Sequence, residues 1–533
     1  MQREHHFSDT AVPWPIADLL SADAFSHAVD ALQLRETHIS WVILTGPFAY
    51  KIKKPVKLDF IDASSLTQRR RFCEEELRLN RRLAPELYVD VVSIVLREGR
   101  AVVGADGSVV EYAVRMRQFR ASDELPALLA SNDVTAAQLA ALGELLAQFH
   151  LGVAVAAPTD APQKTSQMLD VVVGNLNQLQ DILSAGQRPS LEPIATWMRG
   201  TARTLESAFQ ARERNGFVRE GHGDLHASNI VRHAGRLVPF DCIEFDPRLR
   251  WIDVMDDVGF LVMDLASRAR ADLAAALLNR YLEITGDYDG LRLLPFYATH
   301  RALVRAKVAG LTAAAAPARA GEFRRRIARR LSGAASWTTQ RRPMLILMHG
   351  ASGSGKSWLS SRLVPEIPAL RVRSDLERKR LARLSPTESA AAAVREGIYS
   401  REFSDRTYDR LAACAEMCLS AGLSVIIDAS FLQATKRERF RALANRSGAA
   451  CVIVSCEADP MTLSRQVTER AARGGDPSDA TLAVLETQLR EIEPFTPDEQ
   501  ASVIVVDTRT PNAVQRVSRE IHARLSPERE LVR

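Results

Sequence analysis

Cysteine is scarce: six residues in 533, at Cys73, Cys242, Cys414, Cys418, Cys451 and Cys456. No two form a Cys-x-x-Cys pair, and no Cys/His set has zinc-ligand spacing, so a structural zinc site and a disulfide framework are not expected. Cys414 and Cys418 would share one helix face, as core residues do. Reduced thiols of this kind suit a cytoplasmic protein. Long apolar runs are missing too: no segment reaches the ~18 residues of a membrane span. The first residues, with Glu4, His5, His6 and Asp9, lack the positive and then apolar pattern of a signal peptide. Charge of one sign is also lacking. Seventy basic against 65 acidic residues leave a net charge of +5, too even for a dedicated nucleic-acid or membrane binder, although a local basic face is compatible with it. What remains, 46% hydrophobic and 25% charged, is an ordinary globular composition, and the length calls for two to four domains.

The stretch that organises the first half is His222-Gly223-Asp224-Leu225-His226-Ala227-Ser228-Asn229, followed by the apolar run Leu237–Phe240 and Asp241. An Asp, an Asn five residues on and a second Asp after a short strand make the carboxylate–amide–carboxylate set needed for phosphoryl transfer. The first Asp takes the proton of an attacking hydroxyl; the Asn and second Asp hold Mg²⁺ against a triphosphate. A plain turn would use the same residue types, but not in this order and spacing.

Upstream, residues 16–34 read as one or two short helices. His38–Leu44, a Thr45-Gly46-Pro47 turn and Phe48–Lys53 read as a hairpin whose Lys51 and Lys53 share a face. Phe48-Ala49-Tyr50-Lys51 resembles the Val-Ala-Ile-Lys strand of kinases, whose lysine touches the α- and β-phosphates. Lys51 is the preferred candidate, with Lys53 close behind; a solvated basic edge continued by Lys54 and Lys57 is the alternative. The stretch 65–83 is helical, and Glu76, chosen from Glu74-Glu75-Glu76, is the candidate partner of the strand lysine. Strands are expected at 89–96, 100–104 and 109–117, with Glu98-Gly99 and Asp106-Gly107 as hairpin turns. Met116 to Phe119 would be the hinge that hydrogen-bonds adenine. This segment has no Gly-x-Gly-x-x-Gly phosphate loop, only Gly46.

Residues 121–320 carry helical patterns at 135–150, 165–184, 191–214, 251–285 and 291–312. With the catalytic loop placed between them, His-Gly-Asp-Leu-His-x-x-Asn and the hydrophobic-Asp segment resemble the aminoglycoside phosphotransferase-like kinases, a superfamily that also holds choline, methylthioribose, fructosamine and maltose kinases. The resemblance implies a two-lobed protein-kinase-like fold, with Asp224 as catalytic base, Asn229 and Asp241 as Mg²⁺ ligands and His222 as a brace of the loop. It leaves His226 either lining the acceptor site or serving as a hydrogen-bonded loop histidine. Glu244 and Asp246 read as surface carboxylates or as helpers of the metal, and one of Asp253, Asp256 and Asp257 braces the loop. The resemblance gives the reaction and not the acceptor.

Ala313–Pro317 and the arginine-rich 323–330 stretch predict a solvated linking helix with a basic face. Then Met344–His349, a buried strand, runs into Gly350-Ala351-Ser352-Gly353-Ser354-Gly355-Lys356-Ser357, a full Walker A loop in the required strand–loop–helix context. Its amides cradle phosphates at a helix N-terminus, Lys356 reaches the β- and γ-phosphates and Ser357 holds Mg²⁺. Further strands at 370–374, 424–428, 451–456 and 502–507 alternate with helices, which predicts a five-stranded parallel sheet. Asp375, at the end of the second strand, is the candidate base, a role that a place as helix N-cap could accompany, and Arg378 one turn on would hold an anionic acceptor. Asp428 ends the third strand as a Walker-B-like metal residue. Arg465, Arg470 and Arg473 precede Gly474-Gly475-Asp476-Pro477 as a lid, with Arg470 and Arg473 favoured. This half resembles polynucleotide kinases, zeta toxins, chloramphenicol phosphotransferase and gluconate-type kinases.

The expectation is therefore an α/β and α+β multidomain chain: residues 1–320 kinase-like (small lobe about 30–118, helical lobe about 119–320), 321–342 a linker, and 343–533 a P-loop unit. Two ATP and Mg²⁺ sites would each transfer phosphate to the hydroxyl of a small molecule. Two rivals stand beside this. In one, the first unit is a pseudokinase that regulates the second. In the other, the P-loop unit is a motor or acts on nucleic-acid ends; Ala429 after Asp428, where a motor would carry a second acid, favours a small kinase.

Overall fold

The computed structural model describes residues 14–58, 61–104, 106–157, 163–315, 320–339, 342–385, 400–473 and 481–525. It divides into two compact units. The first takes in Met1–Val134, Gln148–Val173 and Glu206–Leu261; the second takes in Thr135–Ala147, Gly174–Leu205 and Val262–Arg533.

The first unit is built on strands β1 (Gln33–Glu36), β2 (Ser40–Leu44), β3 (Phe48–Lys53), β4 (Lys57–Leu58), β5 (Ile61–Asp62), β6 (Tyr88–Arg97), β7 (Arg100–Val103) and β8 (Ser108–Arg117). Six of them form an antiparallel sheet in the order β1-β2-β3-β8-β6-β7. Helix α1 (Leu66–Asn80) is capped by Ser65, whose side chain accepts from the Gln68 amide, and it buries Phe72, Cys73, Glu76 and Leu79. Glu98 and Gly99, both at positive φ, close the expected β6–β7 hairpin. The Asp106-Gly107 hairpin is not found. β8 passes its predecessor and pairs with the other edge of β6 and with β3, which buries Ala113 and Val114 in the middle of the sheet.

Helices α2 (Leu125–Ala130), α3 (Ala136–Gly152), α4 (Gln163–Ile182) and α5 (Arg188–Arg214) follow. Next come β9 (Val218–Glu220), β10 (Ile230–His233), β11 (Arg236–Pro239), β12 (Trp251–Asp253) and α6 (Val254–Ala266). β10 and β11 form the short hairpin that ends at Asp241, and β12 pairs with β9 beside the His222 loop. The expected continuous helix at 251–285 is broken. Its first residues are β12, and at Ala269, with φ of 60°, the chain turns before α7 (Ala271–Thr285).

The second unit continues with α8 (Leu294–Ala315) and α9 (Ala320–Thr338). In α9, Phe323, Ile327, Leu331 and Ala334 are buried along one stripe while Arg324, Arg325, Arg326 and Arg329 face solvent. Then come β13 (Met344–His349), α10 (Lys356–Glu366), β14 (Ala369–Arg373), α11 (Ser374–Leu381), α12 (Arg401–Ser420), β15 (Ser424–Asp428), α13 (Ala434–Arg446), β16 (Ala450–Cys456), α14 (Pro460–Arg473), α15 (Leu482–Arg490), α16 (Pro497–Gln500), β17 (Val503–Val506) and α17 (Ala513–Leu525). The five strands pair in parallel in the order β14-β15-β13-β16-β17. All six residues of central β13 are buried, as a strand covered on both faces requires. Among the described residues no helix is long and apolar enough to cross a membrane.

Candidate active sites

In the first unit, β3 and α1 bring Lys51, Lys53 and Glu76 together. Lys51 Nζ donates to Glu76 Oε1 at 2.8 Å, and Lys53 Nζ donates to Glu76 Oε2 at 2.5 Å. Each lysine then reaches a second acid: Lys51 pairs with Asp241 and Lys53 with Glu244. The two branches differ in exposure. The Lys53 and Glu244 side chains are 1% and 4% exposed, whereas Lys51 is 14% and Asp241 39% exposed. Lys51 and Asp241 thus form the more exposed branch, and Lys53 and Glu244 the buried one. Glu244, read from sequence as a surface group or a metal helper, is a buried counter-ion.

Burial alone would push the Glu76 carboxyl up, but the two ammonium groups pull it down to about 2. Burial likewise opposes charge on Lys51, yet Asp241, Glu76 and Glu244 hold its pKa well above the usual lysine value. Burial and the charge of Glu76 raise the Glu244 carboxyl, against the pull of Lys53. Two lysines thus face three carboxyl groups, of which Asp241 is the exposed one.

The His222–Asn229 loop is joined to the segment that carries Asp241 and Glu244 by hydrogen bonds. Asn229 Nδ2 donates to both the backbone and side-chain oxygens of Asp224, each at 3.0 Å. The Phe240 amide donates to Asn229 O at 2.9 Å, and the Ile243 amide to His222 O at 3.1 Å. Hydrogen bonds thus link Asp224 to Asn229, and Asn229 to Phe240, the residue before Asp241. Asp241 is itself left-handed, with φ of 64°, a conformation Asp tolerates better than most residues, and its amide donates to the Tyr88 hydroxyl at 3.1 Å. His226 is buried against the Phe260 ring with Nε2 3.3 Å from Asp224 Oδ2, so it stands beside the candidate base.

His222 is fully buried. Its Nε2 lies 2.9 Å from Phe240 O, and its Nδ1 takes the Asp224 amide at 3.3 Å. A carbonyl needs a donor and an amide needs an acceptor, which assigns the neutral Nε2–H tautomer. Burial agrees, pushing the imidazole pKa below its usual value. The brace among the three acids after the loop is Asp257: its carboxylate takes the His222 amide at 2.6 Å, the Gly223 amide at 3.0 Å and His150 Nε2 at 3.2 Å. Burial would raise it, but those contacts bring it down to about 2. Asp253 instead pairs with Arg212 at 2.6 Å.

Sequence reasoning missed Tyr88 and Asn80, whose side chain links Glu76 O to the Cys242 amide. In the expected hinge, the Arg117 and Gln118 amides already donate to Leu87 O and Pro47 O. Among the described residues no cluster of three or more His, Cys, Asp or Glu could hold a metal by itself. The donor set suits Mg²⁺, which takes one or two protein oxygens and completes its shell with phosphate and water. Asp241 and the Asn229 carbonyl oxygen are the groups available to it.

In the second unit, Ser352, Gly353, Gly355, Lys356, Ser357, Asp375, Arg378, Asp428 and Arg470 line one cavity of about 1000 Å³. Gly355 has φ of 83°, and a Cβ there would lie 2.3 Å from Thr508 Oγ1, so the loop needs glycine at that point. Lys356 Nζ donates back to Ala351 O at 2.8 Å, across the concavity the loop forms. Burial lowers its pKa despite Asp428 and Asp375 nearby. The Ser352 amide is held at 2.7 Å by Gln488, a contact with no signature in the sequence. Asp428 is buried and takes Ser360 Oγ at 3.0 Å, one turn along α10 from Ser357.

Asp375 is not the N-cap of α11; Arg373 occupies that position. Arg470 Nη2 is buried with no hydrogen-bond partner among the described residues, in a cavity wall where an anion would satisfy it. Arg465 lies on the surface 3.9 Å from Glu469. The side chain of Arg473 and the Gly474-Gly475-Asp476-Pro477 segment lie outside the described residues. Arg401, Ser404, Tyr408 and Lys436 also line the cavity and went unremarked in the sequence.

Two sites with these parts define a chain of the kinase class twice over. Residues 62–294 match the phosphotransferase enzyme family and residues 345–495 match an AAA domain. The chain is 30% identical over 462 residues to uncharacterized protein Rv2004c of Mycobacterium tuberculosis, covering 85% of this chain and 88% of that one. It belongs to the same family as that protein: an aminoglycoside phosphotransferase-like kinase segment joined here to a P-loop kinase segment. Among solved structures, it is similar to a choline/ethanolamine kinase family protein from Mesorhizobium loti (13% identity, 60% of this chain and 92% of that one, TM-score 0.36). It is also similar to a sugar kinase from Janibacter sp. HTCC2649 (22% identity, 34% of this chain and 98% of that one, TM-score 0.27).

Proposed function

We propose that the chain is a bifunctional ATP-dependent phosphotransferase, with a kinase-like unit over 1–320, a P-loop unit over 343–533 and 321–342 as the connection. The observation that carries this reading is the Lys51–Glu76 pair, whose lysine also reaches the exposed Asp241, beside a second cavity lined by Lys356, Asp375 and Asp428. In the first unit Lys51 holds the α- and β-phosphates of ATP, and Asn229 and Asp241 hold Mg²⁺. The bound ion would neutralise the triphosphate. Asp224, held by Asn229, takes the proton as the acceptor hydroxyl oxygen bonds to the γ-phosphorus and the bridging oxygen leaves with ADP.

In the second unit Lys356 and the loop amides hold the phosphates, and Ser357 with Asp428 holds Mg²⁺. Asp375 takes the acceptor's proton, and Arg470 closes on the transferring group. The acceptors are small molecules with a hydroxyl, sugar- or aminoglycoside-like for the first unit. Arg378, Arg401 and Lys436 favour an acceptor with an anionic group for the second.

The test is ADP release against a panel of aminoglycosides, sugars, nucleosides and oligonucleotides, with wild type, Asp224→Asn and Lys356→Ala. Each substitution should abolish release with one subset of acceptors and spare the other. A second reading, in which the first unit binds nucleotide only to regulate the P-loop unit, is favoured by the engaged amides of Arg117 and Gln118. It predicts no loss of turnover in Asp224→Asn.

A further inference from the structure

Helix α7 lies inside the 62–294 phosphotransferase match, yet it belongs to the same compact unit as the parallel sheet. It lies along β14, the edge strand, and replaces a strand neighbour there. Asn279 Nδ2 donates to Ala369 O at 2.8 Å, and the Arg371 amide donates to Asn279 Oδ1 at 2.5 Å. One side chain thus satisfies a donor and an acceptor on an edge that would otherwise be open. Asn279 is fixed on its own helix by a bond to Ala275 O, and Ala275 packs in the core of the sheet.

One turn on, Glu283 takes Arg371 Nη2 at 2.7 Å, both groups nearly buried, and the other arm of that guanidinium reaches Ser357 O at 3.4 Å. The C-terminus of α7 meets α11. Glu283 O accepts from Arg380 at 2.8 Å, and Gly286 O accepts from Arg410 at 3.3 Å. Arg380 and Arg410 both clasp the buried Glu377. Gly286, at φ 69°, has room only for hydrogen: a Cβ there would lie 2.5 Å from Arg380 Nε.

Glu377 and Arg380 belong to the same two-turn helix as Asp375 and Arg378, which line the cavity. We propose that Asn279, Glu283 and Gly286 are positioning residues of the P-loop site, holding β14 and α11 so that Asp375 and Arg378 face the bound nucleotide. The functional P-loop unit then includes a helix from outside its own family match. The inference rests on reading the cavity as a phosphoryl-transfer site.

The experiment uses the full chain with Asp224→Asn, so that only the second site turns over, and measures Mg·ATP hydrolysis with water as the acceptor. The water oxygen bonds to the γ-phosphorus, ADP leaves with the bridging oxygen, and the water's proton passes to Asp375. Glu283→Arg should lower kcat about tenfold or more with the KM for ATP held within about twofold, because misplaced acceptor groups slow transfer without loosening the phosphate loop. Adding Arg371→Glu should restore kcat by rebuilding the pair in reverse. Gly286→Ala, one methyl against Arg380, should give the same split at about threefold, and it serves as the readout if Glu283→Arg does not fold. An unchanged kcat in the folded variants, or a loss of kcat and ATP affinity together, overturns the inference while leaving the P-loop reading intact. Hydrolysis that Lys356→Ala does not diminish removes that reading itself.

Discussion

Glu76 takes Lys51 on one oxygen and Lys53 on the other, and the two lysines then part, one towards the open Asp241 and one towards the buried Glu244. That fork gives two adjacent lysines different work. Lys51→Met should cut turnover at the first site by about a hundredfold or more while the fold holds, since it removes charge from the phosphate path. Lys53→Met should leave Glu244 and half of Glu76 buried without a partner and cost about 3–5 kcal/mol of stability. Steady-state rates together with thermal melts distinguish the two; equal effects of both substitutions would contradict the division.

Asp257 holds two consecutive backbone amides, those of His222 and Gly223. Asp257→Asn replaces one acceptor oxygen with an NH₂ that faces a donor. The substitution should lower stability by about 2–3 kcal/mol and reduce turnover at the first site, with the second unaffected. Denaturant titration and acceptor-specific ADP release measure the two effects.

The pH dependence follows from the same loop. The folded pKa of His222 lies below its ordinary 6.5, so between those values the unfolded chain binds a proton that the folded chain does not. Its contribution is complete above 6.5 and is lost as pH falls through the depressed value. Asp257, brought from 3.8 to about 2, contributes above 3.8 and loses that contribution only as pH falls towards 2, an effect of about 2 kcal/mol. Stability against pH should therefore soften first on the acid side of 6.5. His222→Gln should make that first slope shallower, the remainder coming from the buried His300 and His349, brought to about 3 and about 4, and leave the steeper loss below 4, as read by melting midpoints across the range.

How far the sequence carried these conclusions depended on whether a residue's partner was near in the chain. The Walker loop and β13 were legible because strand, glycines and helix are contiguous, and the parallel sheet followed from alternating elements. The Lys51–Glu76 contact was legible from a resemblance to the strand and helix of kinases. Glu244 was not recognised as a buried counter-ion, because its partner Lys53 stands 191 positions away and no periodicity marks such a pair. Asp257 could not be told from Asp253 and Asp256, since all three sit at one helix start and only the fold decides which meets the loop. The Asp106-Gly107 turn misled because turn chemistry is local, whereas β8 was drawn to β3 and β6 by the burial of Ala113 and Val114.

At the second site, Asp375→Asn should reduce turnover by about a hundredfold or more while Mg·ATP still binds, as expected for loss of a general base. Arg470→Ala should reduce turnover too and weaken ATP, because it removes a buried guanidinium arm that has no hydrogen-bond partner among the described residues. Nucleotide titration beside the rate measurement tells the two apart.

The most direct measurement is the stoichiometry of a non-hydrolysable ATP analogue with Mg²⁺, by calorimetry on the full chain. Two nucleotides should bind per chain, falling to one in Lys356→Ala, to one in Lys51→Met and to none in the double variant. A wild-type chain that binds a single nucleotide, or a double variant that still binds one, would contradict the account of two separate triphosphate sites.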